Sequence, residues 1–285
     1  MHTISERVET VAVLLGDYLV DVAVRIWEPE APRASVVCVH GFAGTSVDFA
    51  PLAETLVQSG YRIIAPDMFG RGQSTFLSDP RRYTLRTQLL ALNLTKRYQL
   101  PANCFLGTSW GGLMALAHVA SLNWDTYGVI LNDCPIKSNV TSQDFRDKLA
   151  VEAEMTFTSR KEADAHVLET RSMGFLQGDM RNRFLEGRVK QVAGGWRMNY
   201  DPMLVETLHA NIPFSVEGLL KIAPRPVLMS FGTESPYASD PLNDEIAAAN
   251  PNITLIKSMS DPHPPSLMKP DQILTIAGFL ARCLG

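Results

Sequence analysis

Apolar and polar positions fall into a recurring rhythm along most of this chain. Thr10–Leu15 is followed by Gly16-Asp17 and then by Leu19–Trp27 with partial alternation, which predicts an antiparallel hairpin at a sheet edge. After Pro29 and Pro32 the pattern changes. Short, continuously apolar runs predict buried strands at Ser35–Val39, Arg62–Ala65, Cys104–Leu106 and Gly128–Leu131. Between them, helical spacing predicts helices over 46–59, 84–98 and 110–122. The rhythm stops at Pro135. It resumes with a strand at Pro226–Phe231, a helix near 240–249, a strand at Ile253–Lys257 and a final helix from Pro270 to Cys283. Strands apolar throughout, alternating with helices, imply a parallel sheet covered on both faces.

The intervening stretch is richer in charge and helix formers, with Met155, Phe157, Met173, Phe175, Leu176, Met180 and Trp196 scattered through it. The expected class is therefore α/β: a doubly wound, mostly parallel sheet with an N-terminal antiparallel hairpin and a helical cap insertion. Residues 1–136 and 223–285 would form the core domain, and 137–222 the cap.

Composition adds exclusions. Of the 285 residues, 46% are hydrophobic and 20% charged, enough apolar material for a two-sided core. A net charge of −4 and no basic run beyond pairs such as Arg81-Arg82 and Lys96-Arg97 argue against a nucleic-acid partner. Cys38, Cys104, Cys134 and Cys283 fit neither a zinc pattern nor a disulfide framework, so a reducing compartment is expected. The N-terminus does not read as a signal peptide, and no segment approaches the length of a membrane span. A cytoplasmic location, no membrane association, no cofactor and no metal are the expectations.

The strongest local signal is Gly107-Thr108-Ser109-Trp110-Gly111-Gly112, a G-x-S-x-G sequence between a predicted strand and a predicted helix. A serine on so tight a turn needs glycine two residues to either side, where a side chain would strike the turn or the next strand. The turn presents the hydroxyl at a helix N-terminus, whose free N–H groups favour negative charge. The Trp110 N–H is the first candidate oxyanion donor. The loop His40-Gly41-Phe42-Ala43-Gly44 follows the first parallel strand and offers Phe42 as the second. His40 reads as a structural residue that orients this loop.

A hydroxyl nucleophile needs a base. Of the six histidines, His2 is terminal, His118 lies inside the helix after Ser109, and His166 and His209 are in the insertion. His263 sits in Ser260-Asp261-Pro262-His263-Pro264-Pro265, just after the last strand, where loops at the carboxyl ends of parallel strands gather. The acid that orients it has three candidates. Asp133 closes the strand 24 residues after Ser109, while Glu234 and Asp240 follow the penultimate strand. The spacing favours Asp133 and leaves the other two open.

The elbow, the His40-Gly41 loop and Ala65-Pro66-Asp67-Met68-Phe69-Gly70-Arg71-Gly72-Gln73-Ser74 together resemble the α/β-hydrolase superfamily over nearly the whole chain outside the insertion. The insertion then corresponds to that family's cap. Many members carry an acid three positions after the glycine that ends the penultimate strand. Here that position is Ser235, and Asn132-Asp133 resembles a subgroup whose acid has moved to the earlier strand. Tyr200-Asp201-Pro202 is similar to the same subgroup, and the resemblance makes Asp67 structural. Serine rather than aspartate at the elbow argues against the halide-displacing and epoxide-opening branches.

The expected function is hydrolysis of a carboxylic ester or lactone through an acyl-enzyme on Ser109, His263 and Asp133. Two alternatives accompany it. One is carbon–carbon hydrolysis of a β-diketone or vinylogous diketone, with Arg160, Arg171 or Arg197 as anchor for a second acid or ketone. The other is a non-catalytic binding protein on the same scaffold.

Overall fold

The computed structural model describes residues 5–137, 143–209, 213–261 and 263–285. The chain opens with a long hairpin, β1 (Ser5–Leu15) and β2 (Tyr18–Glu28), paired antiparallel from Ser5–Glu28 down to Leu15–Tyr18. Its two-residue turn places Gly16 at φ 65°, a conformation that costs glycine little and matches the twist of the strands.

The alternation that follows is β3 (Ala34–Val39), α1 (Ala50–Gln58), β4 (Tyr61–Pro66), α2 (Leu85–Leu94), β5 (Asn103–Thr108), α3 (Trp110–Ser121) and β6 (Gly128–Asn132). Next come α4 (Gln143–Glu154), α5 (Arg160–Thr170), α6 (Gly178–Leu185), β7 (Val189–Val192), β8 (Gly195–Met198) and α7 (Val216–Lys221). The chain closes with β9 (Val227–Gly232), α8 (Leu242–Ala249), β10 (Ile253–Met259) and α9 (Pro270–Leu284). The main sheet has the order β1-β2-β4-β3-β5-β6-β9-β10. From β4 to β10 all neighbours run parallel, while the hairpin joins antiparallel through β2 and β4.

The two-residue period of the strands divides the core. Val37, Val39, Phe105, Val129, Leu131, Met229 and Phe231 face one side, with Ala91 and Leu92 of α2 and Leu113, Leu116 and Val119 of α3. Val36, Cys38, Cys104, Leu106, Ile130 and Leu228 face the other, with Leu52 and Leu56 of α1 and Ile276, Phe279 and Leu280 of α9. Apolar runs rather than alternation in these strands are therefore the imprint of a sheet buried on both faces.

Between β6 and β9 the chain forms a cap that is mostly helical. It also contains an element that helix-former content did not predict, the antiparallel pair β7–β8. Ala193 and Gly194 make its turn, with Gly194 at φ 88°, and Gly195, at φ 149°, opens β8. A Gly-Gly dipeptide between two short runs was the legible signal for it. The far end of the cap is stitched to the loop after β4: Arg71 and Tyr200 form a bridge, and the Asp201 N–H donates to the Gly70 carbonyl (2.8 Å). Among the described residues, no helix is long and apolar enough to cross a membrane, and no group of three His, Cys, Asp or Glu side chains is placed to hold a metal ion.

Candidate active site

Ser109 stands between the last residue of β5 and the first of α3, at φ 51° and ψ −120°. That is a left-handed conformation a non-glycine residue rarely holds. Its surroundings enforce it. The Ser109 N–H donates to the Asn132 carbonyl (2.8 Å), and the Ser109 carbonyl accepts from the Gly112 N–H (2.9 Å). The flanking glycines are required by contact. A Cβ on Gly107 would lie 2.4 Å from the Gly111 carbonyl oxygen, and one on Gly111 would lie 2.2 Å from the Val39 carbonyl oxygen of β3.

The Ser109 hydroxyl lies 3.3 Å from His263 Nε2. On the other side of the ring, His263 Nδ1 is 3.4 Å from Asp133 Oδ1, close enough for an ion pair but not aligned as a hydrogen bond. Asp133 is fully buried, and φ 57° at this residue turns it out of β6. Its carboxylate accepts from the Ser235 hydroxyl (2.5 Å) and the Gly232 N–H (3.3 Å). The serine at the position where many relatives carry the acid thus bonds the carboxylate on the neighbouring strand. Neither of the other candidate acids is a described partner of His263. Glu234 is exposed, and Asp240 pairs with Lys137 (2.9 Å) while accepting from the Leu242 N–H.

The His263 loop is fastened at both ends. Asn132 Nδ2 donates to the Pro265 carbonyl (3.0 Å). Asp261 Oδ2 accepts from the Ser266 hydroxyl (2.7 Å) and from Gln272 Nε2 (2.7 Å), and Lys269 pairs with Asp261 Oδ1 (2.5 Å). Tyr237 packs edge-on against the imidazole at 4.7 Å. Pro262 lies outside the described residues, and much of the fastening comes from Asn132, Asp261 and Gln272.

The remaining histidines with described side chains are held away from Ser109. His40 is buried; its Nε2 accepts from the Met68 N–H (3.0 Å) and its Nδ1 donates to the Gly41 carbonyl (2.8 Å). Burial and the nearby Arg71 charge push its pKa down to about 3, so it stays neutral and orients the loop, as expected. His118 lies buried against Phe105, with its pKa lowered to about 4 by burial. His166 bonds Glu152 (2.9 Å). His2 and the side chain of His209 lie outside the described residues. Asp67 is structural in the sense the resemblance implied: it accepts from the Ser46 N–H (2.6 Å) and the Gln73 N–H (2.9 Å).

A cavity of about 200 Å³ opens beside Ser109 and His263, between core and cap. Phe42, Leu149, Met173, Phe184, Leu267 and Met268 give it a largely apolar wall. Three arginines were candidate anchors in the sequence. Arg171 lines this cavity. Arg160 and Arg197 are not among its lining and bond Asp164 and the Ala153 carbonyl instead. Arg188, which the sequence did not single out, lines the cavity and pairs with Asp48 (2.9 Å). Arg171 grips Glu152 through both terminal nitrogens (2.7 and 3.1 Å). A lone arginine carries no mark of burial in a sequence, which is why Arg188 was not legible.

Phe42 belongs to the cavity wall and Trp110 opens α3, so its N–H is one of the helix's four without an intrahelical acceptor. The two rings meet edge to face at 6.3 Å.

Residues 34–123 match the family model described as the alpha/beta hydrolase fold. The chain has the α/β-hydrolase fold. An α/β hydrolase from Novosphingobium aromaticivorans superposes with a TM-score of 0.79 over 99% of both chains, at 22% identity. The thioesterase domain from the curacin biosynthetic pathway superposes with a TM-score of 0.73, at 18% identity, over 98% of this chain and 100% of that one. Among curated proteins, a 3-hydroxybutyrate-oligomer hydrolase from Cupriavidus necator is 25% identical over 266 residues, 88% of this chain and 89% of that protein. On the α/β-hydrolase fold the sheet's carboxyl edge is where ligands meet the chain, and Ser109, Asp133 and the His263 loop all lie there.

Proposed function

We propose that this α/β-hydrolase-fold protein is a serine hydrolase that cleaves a carboxylic ester or lactone through an acyl-enzyme. One observation carries the reading: the Ser109 hydroxyl, the His263 ring and the Asp133 carboxylate form a continuous relay of 3.3 and 3.4 Å beside an apolar cavity. In this reading His263 carries its proton on Nδ1, facing Asp133, and leaves Nε2 free to accept the Ser109 proton as Oγ attacks the substrate carbonyl. The N–H groups of Phe42 and Trp110 receive the oxyanion. His263 returns the proton to the leaving alkoxide, and water repeats the sequence to release the acid.

The cavity favours a short acyl group, since about 200 Å³ is below the roughly 300–1,000 Å³ of drug-sized sites. The Cupriavidus necator relative, named for cleaving oligomers of a short hydroxy acid, supports the same chemistry, because such units are joined by ester bonds. Carbon–carbon hydrolysis draws less support: Arg171 and Arg188 reach the cavity, but each is already bonded to a carboxylate, Glu152 and Asp48 respectively. We also propose that residues 137–222 act as the substrate-enclosing cap. The free thiols at Cys38, Cys104, Cys134 and Cys283 support a reducing, cytoplasmic setting.

The test is turnover of p-nitrophenyl acetate, butyrate and octanoate beside a panel of β-diketones, with fluorophosphonate labelling of wild type and Ser109→Ala. Short-chain ester turnover and labelling that both vanish in Ser109→Ala are expected. Diketone turnover without ester turnover would move the reading to carbon–carbon cleavage, and an unlabelled, inert Ser109 would move it to a binding protein.

A further inference from the structure

Arg71 is fully buried in the loop after β4. Its Nε donates to the Phe42 carbonyl (2.9 Å) and its Nη1 to the Phe69 carbonyl (2.9 Å), while Nη2 is buried with no partner among the described residues. Among the described residues, no carboxylate pairs with it directly. Asp201 acts on it only at longer range, with one carboxylate oxygen already taken by the Tyr83 hydroxyl (2.5 Å). The guanidinium carbon sits 4.4 Å from the Trp110 ring centre and 4.9 Å from that of Phe42.

A buried cation without a counter-ion is a costly feature, and an apolar side chain of similar size would fill the space without that cost. The cation is clamped between the side chains of the two residues whose N–H groups form the candidate oxyanion pocket. We propose that Arg71 is a positioning residue for that pocket: it pins the carbonyl of Phe42, the residue that carries one donor N–H, and sets a fixed positive charge against the rings of both donor residues. The inference rests on the acyl-transfer reading above. Fixed charge in a water-poor region stabilises an oxygen that becomes negative more than the neutral carbonyl it came from, so its effect falls on the transition state. The cap takes part, because Tyr200 bridges the Arg71 backbone and its ring packs at 6.3 Å against Phe42.

The experiment compares Arg71→Met, Arg71→Gln and Arg71→Lys on a short p-nitrophenyl ester. Each is also titrated with an alkyl boronic acid, which forms an anionic tetrahedral adduct on serine, and with a neutral alkyl amide that mimics bound substrate. Arg71→Met is expected to lower kcat on the order of 10²-fold while leaving KM within about threefold. Boronate affinity should fall in parallel with kcat, and amide affinity should hold. Arg71→Lys should recover part of both losses and Arg71→Gln less, so this pair decides the matter if Arg71→Met does not fold. Equal losses of boronate and amide affinity, or Lys and Gln variants that behave alike, would reduce Arg71 to a structural staple. Full turnover in Ser109→Ala would instead overturn the acyl-transfer reading itself.

Discussion

Replacing Asp133 with asparagine tests the relay at its least accessible member. The side chain is fully buried, so the substitution changes charge with almost no change in shape. The introduced amide would keep one acceptor oxygen, toward either the Ser235 hydroxyl or the Gly232 N–H, and fold stability should fall by about 1–3 kcal/mol, as for one poorly satisfied buried polar group. The larger effect falls on catalysis. In the proposed acyl transfer the imidazole becomes cationic in the transition state, with its Nδ1 3.4 Å from Oδ1. A unit charge pair at that distance, with an effective dielectric near 20, is worth about 5 kcal/mol. Losing it corresponds to roughly 10³–10⁴ in kcat. Stopped-flow or steady-state hydrolysis of a p-nitrophenyl ester at pH 7–8 reads this directly, with circular dichroism and a urea melt as controls for folding. A variant within tenfold of wild type would refute the assignment of Asp133 as the acid. The double variant Asp133→Asn/Ser235→Asp sharpens the test. Ser235 already contacts Asp133 Oδ1 at 2.5 Å, so a carboxylate introduced there starts beside the vacated charge and should restore part of the loss.

Three further outcomes follow from the packing. His118 is buried with its pKa lowered to about 4, so wild type loses stability as pH falls from about 6.5 toward 4, at about 1.4 kcal/mol per pH unit. His118→Leu should therefore gain on wild type over that window, up to about 3 kcal/mol, and a difference in urea midpoints that stays constant between pH 7 and 4.5 would contradict this. Gly111→Ala drives a Cβ to 2.2 Å from the Val39 carbonyl oxygen and 2.3 Å from that of His40; displacing that backbone should cost more than about 3 kcal/mol, read as a lowered Tm together with lost ester turnover. Glu152→Ala removes the carboxylate that binds Arg171, His166 and the Tyr200 hydroxyl (2.8 Å). The half-buried arginine and the Tyr200 hydroxyl left without this partner should lower stability by about 1–3 kcal/mol, and an unchanged thermal midpoint would refute the network's role.

Much of this architecture was legible because it is local. The hairpin turn at Gly16-Asp17, the apolar strands β3 to β6, β9 and β10 and the glycines around Ser109 each follow from neighbouring residues alone. Helix 84–98 ran too long as read, because its last turn, Thr95–Tyr98, tightens to a 3-10 helix. The cap was the least legible part: β7–β8 hid in a charged stretch, and Arg188 carried no sequence mark of its burial beside Asp48.

Chain periodicity by itself determined a two-faced parallel sheet and a serine on its sharpest turn, because burial and backbone sterics act over a few residues. Spacing favoured Asp133 as the acid but left Glu234 and Asp240 open, since all three lie near the ends of the adjacent strands β6 and β9. Tertiary structure brings Asp133 to within 3.4 Å of the His263 ring. The left-handed turn at residue 133 aims one carboxylate inward, while a loop 154 residues beyond Ser109, tied down by Asn132, brings the imidazole to meet it. Directions of side chains from distant strands depend on how the chain closes on itself, and no spacing along the sequence encodes them.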